Sequence, residues 1–186
     1  MNSDRRTRPA FPAELRLTGL GLVLREWTDD DLAALAELFD DPEVAYRTPI
    51  VSPFDLAAAR DYLRKARWSR AEDLRVQLAI TTDGHQPKGE VLLIRSSVGG
   101  DLASIGYSVG AAHRGRHLAA RAVQVMTEYA HWVAALPQVL LEIEPDNAPS
   151  IAVARAAGFH LTEAPPTVAE QKGRRLTLLT WAHDAC

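Results

Sequence analysis

In AAHRGRHLAARA, residues 111–122, two arginines flank a glycine just ahead of an apolar repeat of helical period. The first amides of a helix have no partner inside it and lie at the positive end of its dipole. Arg114, Gly115 and Arg116 at such a start make an anion site, and a pyrophosphate suits it well. The same residues also describe a solvated basic helix start. A second segment, NAPSIAVARAAGF at 147–159, sets Asn147 and Ser150 three residues apart, so on the first turn of a helix they share a face. Local physics alone favours Ser150 as a helix N-cap over a catalyst, and Asn147 is equally a turn residue.

No general base stands out. Glu142 and Glu144 alternate with apolar neighbours, Tyr107 lies in a strand-like run, and His113 adjoins the arginine loop; each has an ordinary structural role open to it. The remaining histidines, His85, His131, His160 and His183, show no ligand spacing, so no metal is expected. The only cysteine is Cys186, which leaves no disulfide framework or cysteine zinc site within one chain and suits a reducing cytoplasm. Trp27, Trp68, Trp132 and Trp181 read as core or interface. A formal net charge of −3 gives no footing for nucleic acid as a partner. No run approaches the roughly 20 apolar residues that cross a bilayer, so no membrane role is expected.

The elements around these residues follow from period and punctuation. Residues 20–26 read as a first strand, with Leu22 and Leu24 on one face. Thr28 and Asp31 have capping-box spacing for a helix carrying Leu32, Leu35, Leu38 and Phe39, which Asp40, Asp41 and Pro42 break. Ser52 and Pro53 signal a second helix along Leu56, Ala59, Leu63 and Ala66. Strands at 76–80, 91–94 and 102–109, joined by short turns at 83–89 and 99–100, predict an antiparallel meander. The period then changes: Leu118, Ala122, Val125, Met126, Tyr129, Val133 and Leu136 lie along one helical face, with Pro137 past its end. A strand at 139–143, a short helix at 151–157 capped by Gly158, and strands at 159–161 and 176–181 complete the chain. The strand–helix–strand unit from Ile105 to Ile143 requires a parallel crossover, so the class is α+β. Length and a 47% apolar content fit one domain, expected over 13–186 after a polar, disordered leader at 1–12.

Taken in order, these segments resemble the GNAT superfamily of N-acetyltransferases, and within it the RimJ/RimL-type branch. LVLREWTDDDL is similar to that branch's entry strand and helix, IGYSV to its fourth strand, RGRHLAARA to its pyrophosphate loop and NAPSIAVARAAGF to its asparagine–serine helix. The resemblance implies a mixed, mostly antiparallel sheet with helices on both faces. It also implies a V-shaped splay between the family's strands 4 and 5, here about 102–109 and 139–144. Acetyl-CoA would lie in that splay, with its pyrophosphate on Arg114, Gly115, Arg116, His117, Leu118 and Ala119, near Asn147, and its thioester carbonyl on the Val109 amide. An amine would attack directly in a ternary complex, the acceptor being a protein N-terminal α-amine or a small-molecule amine. Ser150 would protonate the thiolate, because Ala154 stands where many members carry a tyrosine; Tyr107 and Glu142 complete the catalytic candidates. His117 stands at the loop's first glycine position, and a helical backbone is expected there because the apolar stripe begins at Leu118. A homodimer accords with the branch. The competing reading is a catalytically weak acyl-CoA-binding module that acts through a partner.

Overall fold

Along β3 (Arg75–Thr81), Val76, Leu78 and Ile80 enter one hydrophobic cluster while Ala79 enters another. Successive strand side chains point to opposite faces, so this sheet is covered on both sides. The computed structural model describes residues 10–96 and 102–185. Its sheet runs β1 (Arg16–Gly19), β2 (Leu22–Glu26), β3, β4 (Gly89–Arg95), β5 (Leu102–Val109), β6 (Gln138–Ile143), β9 (Arg174–Asp184) and β7 (His160–Leu161), with β8 (Thr167–Gln171) paired to β9. Every pair is antiparallel except β5 with β6. The mixed sheet and the parallel crossover are as the sequence predicts.

Two helices cover one face. The long α4 (Leu118–Trp132) buries Leu118, Ala122, Val125, Met126 and Tyr129 against β4, β5 and β6, and α5 (Ala148–Ala156) adds Ala154. On the other face α1 (Leu32–Phe39) and α3 (Leu56–Ala71) enclose an aromatic group. Phe39 meets Trp27, Phe54 and Tyr62 edge to face at centroid distances of 6.5, 5.4 and 5.6 Å. Beneath these rings lies the fully buried Glu90, whose Oε1 accepts from the Tyr62 hydroxyl at 2.6 Å and whose Oε2 accepts from Trp27 Nε1 at 2.8 Å.

Several local expectations change. Residues 10–12 of the expected leader are ordered: Phe11 is buried in the main cluster, its N–H donates to Asp73 at 2.7 Å, and the Arg95 guanidinium lies 3.8 Å above its ring. The apolar ring holds this stretch to the core; residues 1–9 lie outside the described residues, as do the turn at Gly99 and Gly100 and the lone Cys186. The first strand is a hairpin, turning at Leu20 and Gly21 with both φ positive. Asp41 caps an additional short helix, α2 (Pro42–Arg47), by accepting from Glu43 N and Val44 N. The next helix starts at Asp55 rather than Ser52, because the Asp55 carboxylate reaches Ala58 N at 2.9 Å. Finally, α4 ends at Trp132, leaving Val133 exposed, and the polar strand β8 joins β9 through Lys172 and Gly173, again at positive φ.

Where β4 begins, its backbone lies unusually close to the end of β5. A Cβ on Gly89 would stand 2.3 Å from the Ser108 carbonyl oxygen and 3.0 Å from Val109 Cα. Only glycine lets β4 press against the end of β5.

Candidate active site

The peptide groups of β5 have a direction that the register fixes. Gly110 N–H donates to the Lys88 carbonyl at 3.0 Å, and Ser96 N–H to the Leu102 carbonyl at 2.9 Å. In an antiparallel pair directly opposed residues alternate between bonded and non-bonded, so even-numbered residues of β5 bond β4 and odd-numbered ones face away. On that far side β6 pairs only from Leu102↔Gln138 to Ser104↔Leu140, then diverges to run with β9 as far as Ile143↔Leu179. The peptide groups of Tyr107 and Val109 are therefore turned into a gap between two strands. This is the expected splay, which falls between β5 and β6 of this chain.

A cavity of about 780 Å³ fills the gap, a size suited to a small-molecule ligand. Nine sequence-predicted residues line it: Tyr107, Val109, Arg114, Gly115, His117, Leu118, Ala119, Asn147 and Ser150. Two do not. Arg116 is exposed beside the cavity. Glu142 pairs with Thr180 on the exposed side of β6, since strand alternation that buries Leu141 and Ile143 must turn Glu142 to solvent. Residues that the sequence did not single out supply the opposite wall: Glu43, Val44, Arg47 and Thr48, all on or at the end of α2.

The loop ahead of α4 departs from expectation at His117. Its φ of 54° and ψ of 22° are left-handed rather than helical. Two positive-φ residues, Gly115 at 74° and His117, bend the chain from β5 into α4. Such bends gather successive amides into a concave anion nest. Arg121 holds the bend: Nη1 donates to Leu20 O at 2.9 Å, Nη2 to Arg116 O at 3.1 Å and Nε to His117 O at 3.4 Å. Its one signal in sequence is the four-residue spacing from His117. A left-handed backbone costs an L-residue about 1 kcal/mol, so His117→Gly is expected to raise Tm by about 2–4 °C for a domain of this size. Thermal unfolding that shifts down instead would show that this φ carries no cost.

Ser150 is not the cap of α5. Asn147 is, accepting from Ser150 N at 3.2 Å through Oδ1, which leaves the Ser150 hydroxyl free of that duty. Opposite it the Tyr107 hydroxyl is buried without a hydrogen-bond partner among the described residues. Burial pushes the Tyr107 phenol up to about 12, while the nearby Ser150 side chain pulls the other way without closing a full hydrogen bond. At neutral pH Tyr107 is thus a proton donor and no base. His113 also lines the cavity, with Nδ1 buried and without a hydrogen-bond partner among the described residues. Desolvation, with Lys88 and Arg116 adding to it, holds its ring below the usual histidine range and therefore neutral.

At the far end Arg47 donates to Glu144 at 2.8 Å and to Asp146 at 2.9 Å. Arg174 completes the pair on Glu144 at 2.9 Å, donates to Tyr46 O at 2.7 Å and stacks 3.6 Å from the Tyr46 ring. Lys172 donates to Ala45 O at 2.7 Å and to Ile50 O. The β8–β9 hairpin is thereby docked on α2. No cluster of three metal-ligating side chains occurs among the described residues, and no helix there is long and apolar enough to cross a membrane.

A sheet opened between two strands, above a bend at a helix start, is the arrangement that the resemblance to the GNAT superfamily implies. The family model of the acetyltransferase (GNAT) domain matches residues 21–160, and the chain belongs to that family. It is an acetyl-CoA-dependent acyltransferase. The chain is 28% identical over 144 residues to the uncharacterized N-acetyltransferase p20 of Bacillus licheniformis, covering 74% of this chain and 78% of the relative. Its fold is similar to that of Mycobacterium smegmatis RimJ, solved in complex with CoA-disulfide, with a TM-score of 0.78 at 20% identity over 92% of this chain and 87% of that one. It is also similar to the ribosomal-protein-S5-alanine acetyltransferase of Vibrio fischeri, with a TM-score of 0.77 at 17% identity over 92% and 97%.

Proposed function

We propose that the protein moves the acetyl group of acetyl-CoA onto a primary amine, of a protein N-terminus or a small molecule, by direct attack with both substrates bound. The observation that carries this reading is the gap between β5 and β6, where the Tyr107 peptide group and the Val109 N–H, turned away from β4 and beyond the pairing with β6, share one cavity with Asn147 and Ser150. Pantetheine is itself a chain of amides, and unpaired strand groups receive it as another strand would be received. The Val109 N–H is aimed into the gap, where it can stabilise the oxyanion that forms as the amine attacks. The nest from Gly115 to Ala119, with Arg116 beside it, suits the pyrophosphate.

Ser150 serves as the donor to the departing thiolate. Tyr107, protonated and unpartnered, can donate to the Ser150 oxygen and so turn the serine's own proton toward the gap. The nearby carboxylates are tied up or turned away: Glu43 in the cavity wall accepts from Arg47 Nε at 3.3 Å, Glu144 is held by two arginines and Glu142 lies outside the cavity. The acceptor therefore has to be neutral in its own right. At pH 7 an α-amine with pKa near 8 is about one-tenth neutral, whereas a lysine amine is neutral roughly once in 2500 molecules. That ratio favours an α-amine or another amine of lowered pKa, and the name of the Vibrio fischeri neighbour points the same way.

Thiol release from acetyl-CoA with a panel of peptides and small amines tests the reading, with a gain of one acetyl group in mass on the product. CoA binding without turnover of any amine would leave the binding-module reading in its place. With an active acceptor, kcat/KM is expected to rise with pH along the acceptor's own titration, and His113→Ala is expected to cost less than about tenfold. A loss of 10³-fold in a folded, CoA-binding His113→Ala variant would reveal a dedicated base.

A further inference from the structure

Arg114 matches the first position of the cofactor loop, yet its guanidinium is committed elsewhere. Nε donates to the Val109 carbonyl at 3.1 Å, and Nη2 donates to Asp41 Oδ1 at 2.9 Å. Val109 ends the strand that faces the gap, and Asp41 is the N-cap of α2. Burial pushes the Asp41 carboxyl upward, but Arg114 and the two capping amides outweigh it and hold the group below the usual carboxylate range. Asp41 is thus an anion bound from two sides, by the helix it starts and by the cofactor loop.

The wall that this contact reaches has no other tie to that loop among the hydrogen bonds of the described residues. With six residues, α2 is too short to be stable alone, so its position is set by what holds its ends. Its C-terminal end is held by Arg47 on Glu144 and Asp146, and by Lys172 and Arg174 on the carbonyls of Ala45 and Tyr46. Its N-terminal end meets β5 and the loop through Arg114. Because α2 supplies Glu43, Val44, Arg47 and Thr48 to the cavity, movement at Asp41 moves the wall across which an acceptor must approach.

We propose that Arg114 is a positioning residue that couples the cofactor strand to the acceptor wall through Asp41, rather than a ligand of the pyrophosphate. This rests on the reading of the cavity as an acetyl-CoA site. The coupling is local and electrostatic, so it belongs to the pair and not to either residue alone.

The test compares Asp41→Asn, Arg114→Ala and the double variant in three measurements: calorimetric Kd for CoA, KM and kcat for an active amine, and Tm. Asparagine caps helices as well as aspartate, so Asp41→Asn keeps the start of α2 while weakening the ion pair. Each single variant is expected to lower kcat/KM for the amine by about tenfold, with Kd for CoA within about threefold of wild type. The double variant is expected to be no worse than the worse single one, as partners in one contact require. Arg114→Lys, which keeps the charge, is expected to recover part of the loss. The inference is overturned if Arg114→Ala weakens CoA by tenfold or more while Asp41→Asn changes nothing, for Arg114 would then be a phosphate ligand. It is equally overturned if the two losses simply add. Wild-type protein that binds no CoA would remove the reading of the site and this inference together, and the first titration separates that case from the others.

Discussion

Ser150→Ala is expected to lower kcat by about 10²-fold or more while leaving Kd for CoA within a few-fold of wild type. The reason is that charge appears on sulfur only as the thioester breaks, so a donor to that sulfur acts on the chemical step and on little before it. The geometry sharpens this expectation. Since Asn147 caps α5, removing the Ser150 hydroxyl takes nothing from the helix start, and Tm is expected to change little. Tyr107→Phe is expected to reduce kcat in the same direction but less, and to add little in an enzyme that already lacks the serine hydroxyl. Unchanged kcat in Ser150→Ala, measured at saturating acetyl-CoA and amine, would remove the serine from the chemistry.

Glu90 carries the second large effect, and it concerns stability. Burial pushes its carboxyl up to about 7, against the hydrogen bonds from Tyr62 and Trp27, which favour the ionised form. A carboxyl raised above its unfolded value holds a proton in the folded state that the unfolded chain has already lost. The contribution of Glu90 to stability is therefore largest below the unfolded value near 4.5 and declines as pH rises toward 7, by about 3 kcal/mol over that window. His113 and His183, both held below the ordinary histidine value, act oppositely in the upper part of the window. The comparison that isolates Glu90 is with Glu90→Gln, whose amide oxygen can still accept from Trp27. Chemical denaturation from pH 4.5 to 7.5 is expected to show the variant gaining on wild type as pH rises. A constant difference across the range would mean that Glu90 keeps one charge state throughout.

The side of the cavity formed by β5, the start of α4 and α5 was legible from the sequence, and the side formed by α2 was not. IGYSV reads as a strand because alternation and the following Gly110 mark its end, and β5 stops at Val109 as expected. The stripe from Leu118 placed the start of α4 correctly, but a stripe says nothing of the residue before it, and His117 proved left-handed. Ser150 and Asn147 are both plausible caps; only the observed bond between them shows which one serves. By contrast, α2 is six residues long and β8, TVAEQ, has no apolar face to betray it. Both are held in place by partners distant in sequence, such as Arg47 with Glu144 and Lys172 with Ala45. Contacts of that kind leave no local period to read.

The gap between β5 and β6 presents peptide groups, and every amino acid except proline brings the same ones. A point mutation along β5 can therefore alter packing or shape, but it can scarcely erase the hydrogen-bonding pattern offered at Tyr107 and Val109. The wall formed by α2 is of the opposite kind, since side chains such as Glu43, Arg47 and Thr48 make it and any one of them can be exchanged. The two sides of the cavity thus differ in what a substitution can do: the β5 side is written in the backbone and keeps its hydrogen-bonding groups, whereas the α2 side is written in side chains and changes with each of them.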